Sequence, residues 1–328
     1  MSKSPISNSQ SPNLVSVIIP HWNAAHHLPT CLNSLRSQTY PRVEVIVADN
    51  GSTDGSLELL ARDYAWARVL PLGENRGFAG ACNAGMREAR GEIVVLLNND
   101  TEADPRWLEE VVAAFERYPE AGLVASKMLL FDQRDTFHTA GDFYRVDSVP
   151  GNRGVWQKDV GQYDREEYVF SACGGSAAYR KAMLEQVGLL DEDFFYSCED
   201  VDLAWRAQLA GYRCVYAPRA VVYHKLSATG GGVTASFYDG RNFIYLLFKD
   251  YPGDLWRTYW RAVLRAQLRI TAEALGAWRG PAARARLRGQ LAGLLGLPKM
   301  LRKRRAVQHS RTVDRAYLES ILTGVESP

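Results

Sequence analysis

The chain has 328 residues, 46% of them hydrophobic and 23% charged, with a formal net charge of +2. These are globular proportions, which exclude a disordered or fibrous chain and leave room for one large α/β domain with an appendage. The small net charge hides a division: residues 1–240 carry 22 Lys+Arg against 31 Asp+Glu, and residues 241–328 carry 17 against 6. An acidic body is thus joined to a basic tail suited to an anionic surface.

The leader "MSKSPISNSQSPN" (1–13) is polar and lacks the apolar stretch of a signal peptide, so it is expected to be disordered. "VSVIIP" (15–20) predicts a buried strand, and Leu28, Leu32 and Leu35 predict a helix over 24–37. "VEVIVAD" (43–49) is a second strand, "NGSTDGS" breaks it and caps a helix over 55–65, and "ARVLPL" (67–72) is a third strand. A helix over 78–90, a strand "EIVVLL" (92–97) and a helix running from Pro105 at its first position to Tyr118 follow. Strands and helices alternating at this spacing predict a parallel, helix-covered sheet.

Beyond 121 the pattern loosens. "GLVASKMLLF" predicts a strand, 132–165 is polar and Gly-rich, and 168–180 predicts one strand running into a helix. A helix over 199–211 is closed by Gly211, and "RCVYAP" and "AVVYH" predict two short strands. Residues 241–328 are expected to be helical and basic. Five cysteines without a CxxC pair point to free thiols. No run approaches 18 apolar residues, so no transmembrane helix is expected; the chain is expected in the cytoplasm, associated with the cytoplasmic face of the inner membrane.

Ligands of open α/β sheets bind at the carboxyl ends of the strands. Those ends are Pro20-His21-Trp22-Asn23, Asp49-Asn50-Gly51-Ser52 and Asn98-Asn99-Asp100. Helix capping accounts for Ser52, Thr53 and Asp54 as well as ligand binding does. It accounts poorly for Asn98-Asn99-Asp100, because Asp104 already supplies the next cap. One carboxylate beside amides at a cleft suits Mg²⁺ or Mn²⁺, whose shell is completed by water and phosphate oxygens. "ENRGFAGACNAG" (74–85) offers glycines for close backbone approach and Arg76 for a phosphate. In "FFYSCEDVDLAWR", Glu199, Asp200 and Asp202 crowd the first turn of a helix, more acids than capping needs, and one of them is a candidate general base. His224 ends "AVVYH" and is placed to join a metal shell.

Taken in order, "VSVIIPHWN", "VEVIVADNGSTDGS", "ENRGFAGACNAG", "EIVVLLNNDT", "YRKAMLEQVGLLDEDFFYSCEDVDLAWRAQLAGY" and "AVVYH" resemble the family 2 inverting glycosyltransferases of the GT-A fold, nearest their rhamnosyltransferase-like branch, over about 14–250. The resemblance implies a mixed sheet flanked by helices. It divides the chain into a catalytic domain at 14–240 (nucleotide-binding half 14–121, acceptor-binding half 122–240) and a basic helical extension at 241–328. It implies transfer of a sugar, with rhamnose the leaning, from a dTDP- or UDP-linked donor to a glycan or lipid-linked acceptor in cell-surface polysaccharide synthesis.

By the same resemblance, Pro20, Asn23, Asp49, Asn50, Ser52, Asn75, Arg76, Gly77, Asn83, Asn98 and Asn99 border the nucleotide sugar. Asp100 and His224 hold the metal, Asp200 with Glu199 beside it is the catalytic base, and Gly174, Gly175, Ser176 and Asp191 form the acceptor side. Two departures qualify this. Asn98 replaces the first Asp of the family's DxD signature, leaving Asp100 the sole charge for the metal. The QxxRW motif of processive members is absent, which points to addition of one or a few sugars. A silent nucleotide-sugar or glycan-binding protein on the same fold is the rival reading, disfavoured by the retained Asp100, Asp200 and His224.

In the tail, Arg257, Arg261, Arg265 and Arg269 form one stripe, and Trp256, Trp260, Leu264 and Leu268, joined by Tyr259 and Val263, form its neighbour. This is the pattern of a helix lying in a membrane interface, with "LLGLPKMLRKRR" adding basic charge and extending the contact over 255–305. No nucleic-acid reader motif accompanies the charge.

Overall fold

The computed structural model describes residues 13–225 and 232–325, so nearly all of the expected leader lies outside the described residues. Four parallel strands, β1 (Val15–His21), β2 (Val43–Asp49), β3 (Arg68–Pro71) and β4 (Ile93–Leu97), lie in the order β3-β2-β1-β4. Their connections run through α1 (Leu28–Arg36), α2 (Ser56–Asp63) and α3 (Gly77–Glu88). Helices on both faces explain why the strands are apolar almost throughout. Val17, Ile19, Val95 and Leu97 enter one core, and Ile18, Val94 and Leu96 the other.

The second half turns this parallel sheet into a mixed one. After β4 come β5 (Thr101–Ala103), α4 (Trp107–Arg117), β6 (Ala121–Leu130), β7 (Phe137–Thr139), β8 (Asp142–Tyr144), β9 (Pro150–Asn152) and β10 (Glu167–Val169). These are followed by β11 (Ser176–Arg180), α5 (Lys181–Val187), α6 (Glu199–Leu209) and β12 (Arg213–His224). β11 inserts antiparallel between β4 and β6, giving the order β10-β12-β6-β11-β4-β1-β2-β3.

Three expectations change here. The single strand expected over 168–180 is two strands at different places in the sheet, separated by a segment that holds Gly174 and Gly175. "RCVYAP" and "AVVYH" are one strand, β12, whose register shifts between Ala217 and Val221; Pro218, which has no N–H for the ladder, lies in that shift. Helix α4 starts at Trp107 rather than Pro105, because the Asp104 carboxylate accepts from the Arg106 N–H at 2.9 Å and sets the turn ahead of the helix.

Five helices complete the chain: α7 (Gly232–Lys249), α8 (Gly253–Gly276), α9 (Pro281–Leu295), α10 (Leu297–His309) and α11 (Arg315–Ile321). The boundary expected at 240 falls inside α7. α7 and α9 meet through glycines: a Cβ on Gly240 would lie 2.4 Å from the Arg286 carbonyl oxygen, and one on Gly289 2.0 Å from that of Phe237. Leu255 and Val263 of α8, Met300 and Val307 of α10, and Leu318 of α11 join the same core as Tyr144 and Trp205. All five cysteines are free. No helix among the described residues is long and apolar enough to cross a membrane.

Candidate active site

The carboxyl ends of β1 and β4 open onto a cleft of about 620 Å³ whose far wall is the start of α6 and the middle of α7. On the sheet side, "NND" does not cap a helix. β5, directly after it, pairs antiparallel with the end of β12, so Thr101 faces His224 across the ladder. That pairing brings His224 Nε2 to 3.1 Å from Asp100 Oδ1 and to 3.4 Å from the Asn98 amide nitrogen. Asp100 is 3% exposed, and its Oδ1 is buried without a hydrogen bond.

Behind this pair, His224 Nδ1 lies 3.0 Å from His138 Nδ1, and burial followed by the neighbouring His224 lowers the pKa of His138 to about 3. Where the neutral His138 accepts from His224 Nδ1, the Nε2 lone pair of His224 is left on the side of Asp100. That is the tautomer a metal selects, with the second nitrogen donating outward. An orphaned carboxylate oxygen beside an imidazole nitrogen fits a divalent cation.

Opposite, α6 begins after a strained approach. Phe195, Ser197 and Cys198 all have positive φ, at 59°, 67° and 66°. Non-glycine residues hold such angles only where their surroundings enforce them. The enforcement comes from α7: the Asn242 amide donates to the carbonyls of Phe194, Tyr196 and Ser197, and Arg241 donates to those of Asp193 and Phe194. Ser197 donates to Asp239 at 2.7 Å.

The loop delivers Asp200 into the cleft, where its Oδ2 accepts from the Gly174 N–H at 2.7 Å and its Oδ1 from the Val201 N–H at 2.8 Å. Burial raises the Asp200 pKa and these backbone bonds oppose the rise. Glu199 is pushed well above the carboxylate range, by burial first and the Asp200 charge second, and its Oε2 has no partner. Its protonated form is therefore favoured, which leaves Asp200 as the charge of the pair.

Among the residues expected at the site, Pro20, Asn50, Asn75, Gly77, Asn98, Asn99, Asp100, Gly174, Gly175, Glu199, Asp200 and His224 line this one cleft. Asn50 pins the 74–77 loop by accepting from the Arg76 N–H and donating to the Gly77 carbonyl. The Asn99 amide is 2.7 Å from His21 Nδ1, and His21 Nε2 is 2.7 Å from the Ser56 hydroxyl, so Asn99 orients the rim through a neutral histidine.

The others do not line the cleft. Asp49 is fully buried and accepts from the Gly51 and Ser52 N–H groups, both at 3.1 Å, shaping the turn rather than facing the cleft. Asn23 accepts from the Thr53 N–H at 2.7 Å while its own N–H reaches the Ser52 hydroxyl, clasping two loops together. Arg76 pairs with Glu74.

Three residues depart further from expectation. The Asn83 amide is used on Leu190 and Glu192 rather than on a ligand. Ser176 turns into the core, 2.9 Å from the Ser126 hydroxyl. Asp191 is ion-paired to Lys249 and Lys303 of the C-terminal helices. Motif order carries no sign of which way a side chain points, and these three point away from the cleft.

Sequence reasoning missed His138, Asp142, Asn152 and Cys173, all of which line the cleft. His138, Asp142 and Asn152 belong to the polar 132–165 stretch, where three-residue strands give almost no periodicity, and Cys173 lies between β10 and β11. "HTAGD" was the only local signal. It also missed Tyr238 and Asp239, because α7 had been divided between two domains.

Comparison with known proteins agrees with this architecture. The profile of Glycosyl transferase family 2 matches residues 16–188. An N-acetylglucosaminyl-diphospho-decaprenol L-rhamnosyltransferase of Mycobacterium tuberculosis is 28% identical over 287 residues, covering 80% of this chain and 93% of that relative. Glycosyltransferase AglE of Haloferax volcanii is 41% identical over 163 residues, covering 41% of this chain and 53% of AglE. Two solved structures share the fold. The mannosyltransferase PcManGT of Pyrobaculum calidifontis, in complex with GDP-Man and Mn²⁺, has a TM-score of 0.54 at 21% identity and covers 94% of this chain and 83% of its own. S. aureus TarS 1–349 in complex with UDP has a TM-score of 0.55 at 18% identity, covering 90% of each chain. With more than half of its length matched by that profile and a mixed sheet like those of these neighbours, the chain belongs to glycosyl transferase family 2.

Proposed function

We propose that the protein transfers a sugar, with inversion, from a nucleoside-diphosphate sugar to a hydroxyl of a glycan or lipid-linked acceptor in cell-surface polysaccharide synthesis. One observation carries this reading. A buried, unpartnered Asp100 oxygen beside His224 faces, across a single cleft, an Asp200 carboxylate held by two backbone N–H groups.

Asp100 and His224 would hold Mg²⁺ or Mn²⁺, with Asn98 and Asn99 shaping the lip. The cation, when bound, neutralises charge on the departing diphosphate. Asp200 takes the proton of the attacking hydroxyl, and its raised pKa makes it a better base near neutrality than an exposed aspartate. Its fixed orientation suits a single displacement. Similarity to the mycobacterial rhamnosyltransferase supports rhamnose as the sugar and a lipid-diphosphate-linked N-acetylglucosamine as the acceptor; dTDP- and UDP-linked donors are the first to test.

A lipid-linked acceptor calls for a membrane-facing surface, and α8 offers one. Trp256, Trp260, Leu264 and Leu268 are 41%, 43%, 47% and 59% exposed, beside the exposed Arg257, Arg261, Arg265 and Arg269. Of the stripe expected from sequence, Val263 packs inward and Tyr259 bonds to Glu319, so the helix both docks on the domain and presents an apolar edge. That edge lies on an anionic membrane surface, the cytoplasmic face of the inner membrane in this reading.

The deciding experiment is a thermal-shift panel of dTDP-rhamnose, UDP-glucose, UDP-N-acetylglucosamine and GDP-mannose with and without Mn²⁺. A Mn²⁺-dependent shift with one of them, lost in Asp100→Ala, is expected. A shift that ignores the metal or survives in Asp100→Ala would remove the assigned role of Asp100.

A further inference from the structure

Asp142 has no part in the reaction just described, yet its carboxyl lies beside that of the base. It begins β8, one strand of a hairpin that walls the cleft with Pro150, Gly151 and Asn152. A carboxylate oxygen of Asp142, one of Asp200 and the Cys173 sulfur all lie within 4.8 Å of one another. Asp142 Oδ1 is occupied: it accepts from the Thr139 hydroxyl at 2.6 Å and the Asn152 amide at 3.0 Å. Its Oδ2 makes no hydrogen bond among the described residues and belongs to a side chain that lines the cleft.

Two carboxyl oxygens no more than 4.8 Å apart are close enough for one hydroxyl oxygen to hydrogen-bond to both. We propose that Asp142 and Asp200 bracket the acceptor's attacking hydroxyl, with Asp142 as the hydrogen-bond donor that orients it and Asp200 as the base that deprotonates it. The inference rests on the glycosyltransferase reading of the cleft and adds an acceptor-orienting residue to it.

The protonation states suit these roles. Burial first, and the Asp200 charge second, push the Asp142 pKa up to about 8. The groups facing it are Asp200 of α6, Cys173 before β11, Cys214 of β12 and Arg153 after β9, and Arg153 is the only cation among them. Burial raises both carboxyls, but backbone N–H groups oppose the rise at Asp200, so Asp142 takes the part of the acid and Asp200 that of the base.

The geometry makes the step specific. The hydroxyl donates its proton toward Asp200 and accepts from the Asp142 O–H through one lone pair, so its second lone pair faces the anomeric carbon. As that carbon–oxygen bond forms, the bond from the anomeric carbon to the diphosphate oxygen breaks. The nucleoside diphosphate leaves with the electron pair, Asp200 keeps the hydroxyl proton, and Asp142 keeps its own.

Water in the same gap replaces the acceptor, so the test requires no knowledge of the natural one. The probe is hydrolysis, followed by nucleotide release, of whichever panel donor gives a Mn²⁺-dependent thermal shift. Wild type should lose rate above about pH 8 as Asp142 ionises. Asp142→Asn keeps a donor and an acceptor but cannot ionise; its rate at pH 7 should stay within roughly threefold of wild type, and the alkaline fall should vanish. Asp142→Ala should lose roughly tenfold or more while the donor shifts its melting temperature as it does that of wild type.

Wild-type hydrolysis in Asp142→Ala, or an alkaline fall that persists in Asp142→Asn, would overturn the proposal. Asp142→Asn also guards against misfolding, since Thr139 and Asn152 retain an oxygen to bond. A wild type that no donor stabilises would instead overturn the glycosyltransferase reading beneath it.

Discussion

At Gly77 the backbone has φ +72°, and a Cβ would lie 2.5 Å from the Phe195 carbonyl oxygen and 2.6 Å from its ring. That carbonyl accepts from the Phe78 N–H at 2.7 Å, so one glycine lets the 74–77 loop dock on the approach to α6. Gly77→Ala should cost about 1–3 kcal/mol of strain, read as a lower urea midpoint, together with weaker donor binding; an unchanged midpoint would show that the loop yields. Asp200 is the converse case, where the isosteric Asn keeps an oxygen for a backbone N–H but loses the base. Asp200→Asn should lower turnover by roughly 10²–10⁴-fold while calorimetry finds donor binding nearly intact. Wild-type turnover in that variant would refute Asp200 as the base.

At the scale of elements, α6 and α7 are joined by buried charge. Asp202, fully buried, pairs with Arg206 at 2.9 Å and with Lys249, which also reaches Asp191 at 2.6 Å. Asp202, one of the three first-turn acids among which the sequence offers a general base, is therefore a structural anion. Burial raises its pKa, and Lys249 and Arg206 more than reverse the rise. Lys249→Met strips Asp202 of one cation and should destabilise by about 3–5 kcal/mol, the usual cost of breaking a buried pair from one side; a loss below 1 kcal/mol would mean that Arg206 suffices. Because α7 also braces 194–198, the same variant should lose activity before it unfolds. For α8 the test is substitution of its exposed edge: the triple change Trp256→Ser, Trp260→Ser, Leu264→Ser should abolish co-sedimentation with phosphatidylglycerol vesicles at unchanged donor binding. Retained co-sedimentation would move the membrane contact elsewhere.

For the whole molecule, the basic extension is part of the core. Truncation after residue 250 would expose what Leu255, Val263, Met300, Val307 and Leu318 now cover, so such a chain would report misfolding rather than lost membrane contact. The acid side of the stability curve follows from two opposed sets of carboxyls. Asp191, Asp193, Asp202 and Asp254 are held below the ordinary range, with burial opposing and their Lys and Arg partners prevailing. Their contribution is complete above about pH 4 and is lost as pH falls below it. Asp142, Glu199 and Asp250 are raised by burial, so stability declines as pH climbs from about 4 toward 8. From these carboxyls alone, urea midpoints should peak near pH 4–5; a maximum above pH 7 would contradict the raised set.

The sequence by itself determined the strands β1, β2 and β4 and their polar carboxyl ends, and it pointed to Asp100, Asp200 and His224 as the residues proposed for the site. Periodicity, strand-end position and motif order are local properties that survive without coordinates. Tertiary structure decided the rest. It inserted β11 antiparallel, joined β12 into one strand so that His224 meets Asp100, and turned Asn83, Ser176 and Asp191 out of the cleft. It also brought His138 and Asp142 in from short strands with no legible period. Side-chain direction and strand pairing depend on partners as many as 126 residues away, as between Asn98 and His224, and no local pattern encodes that distance.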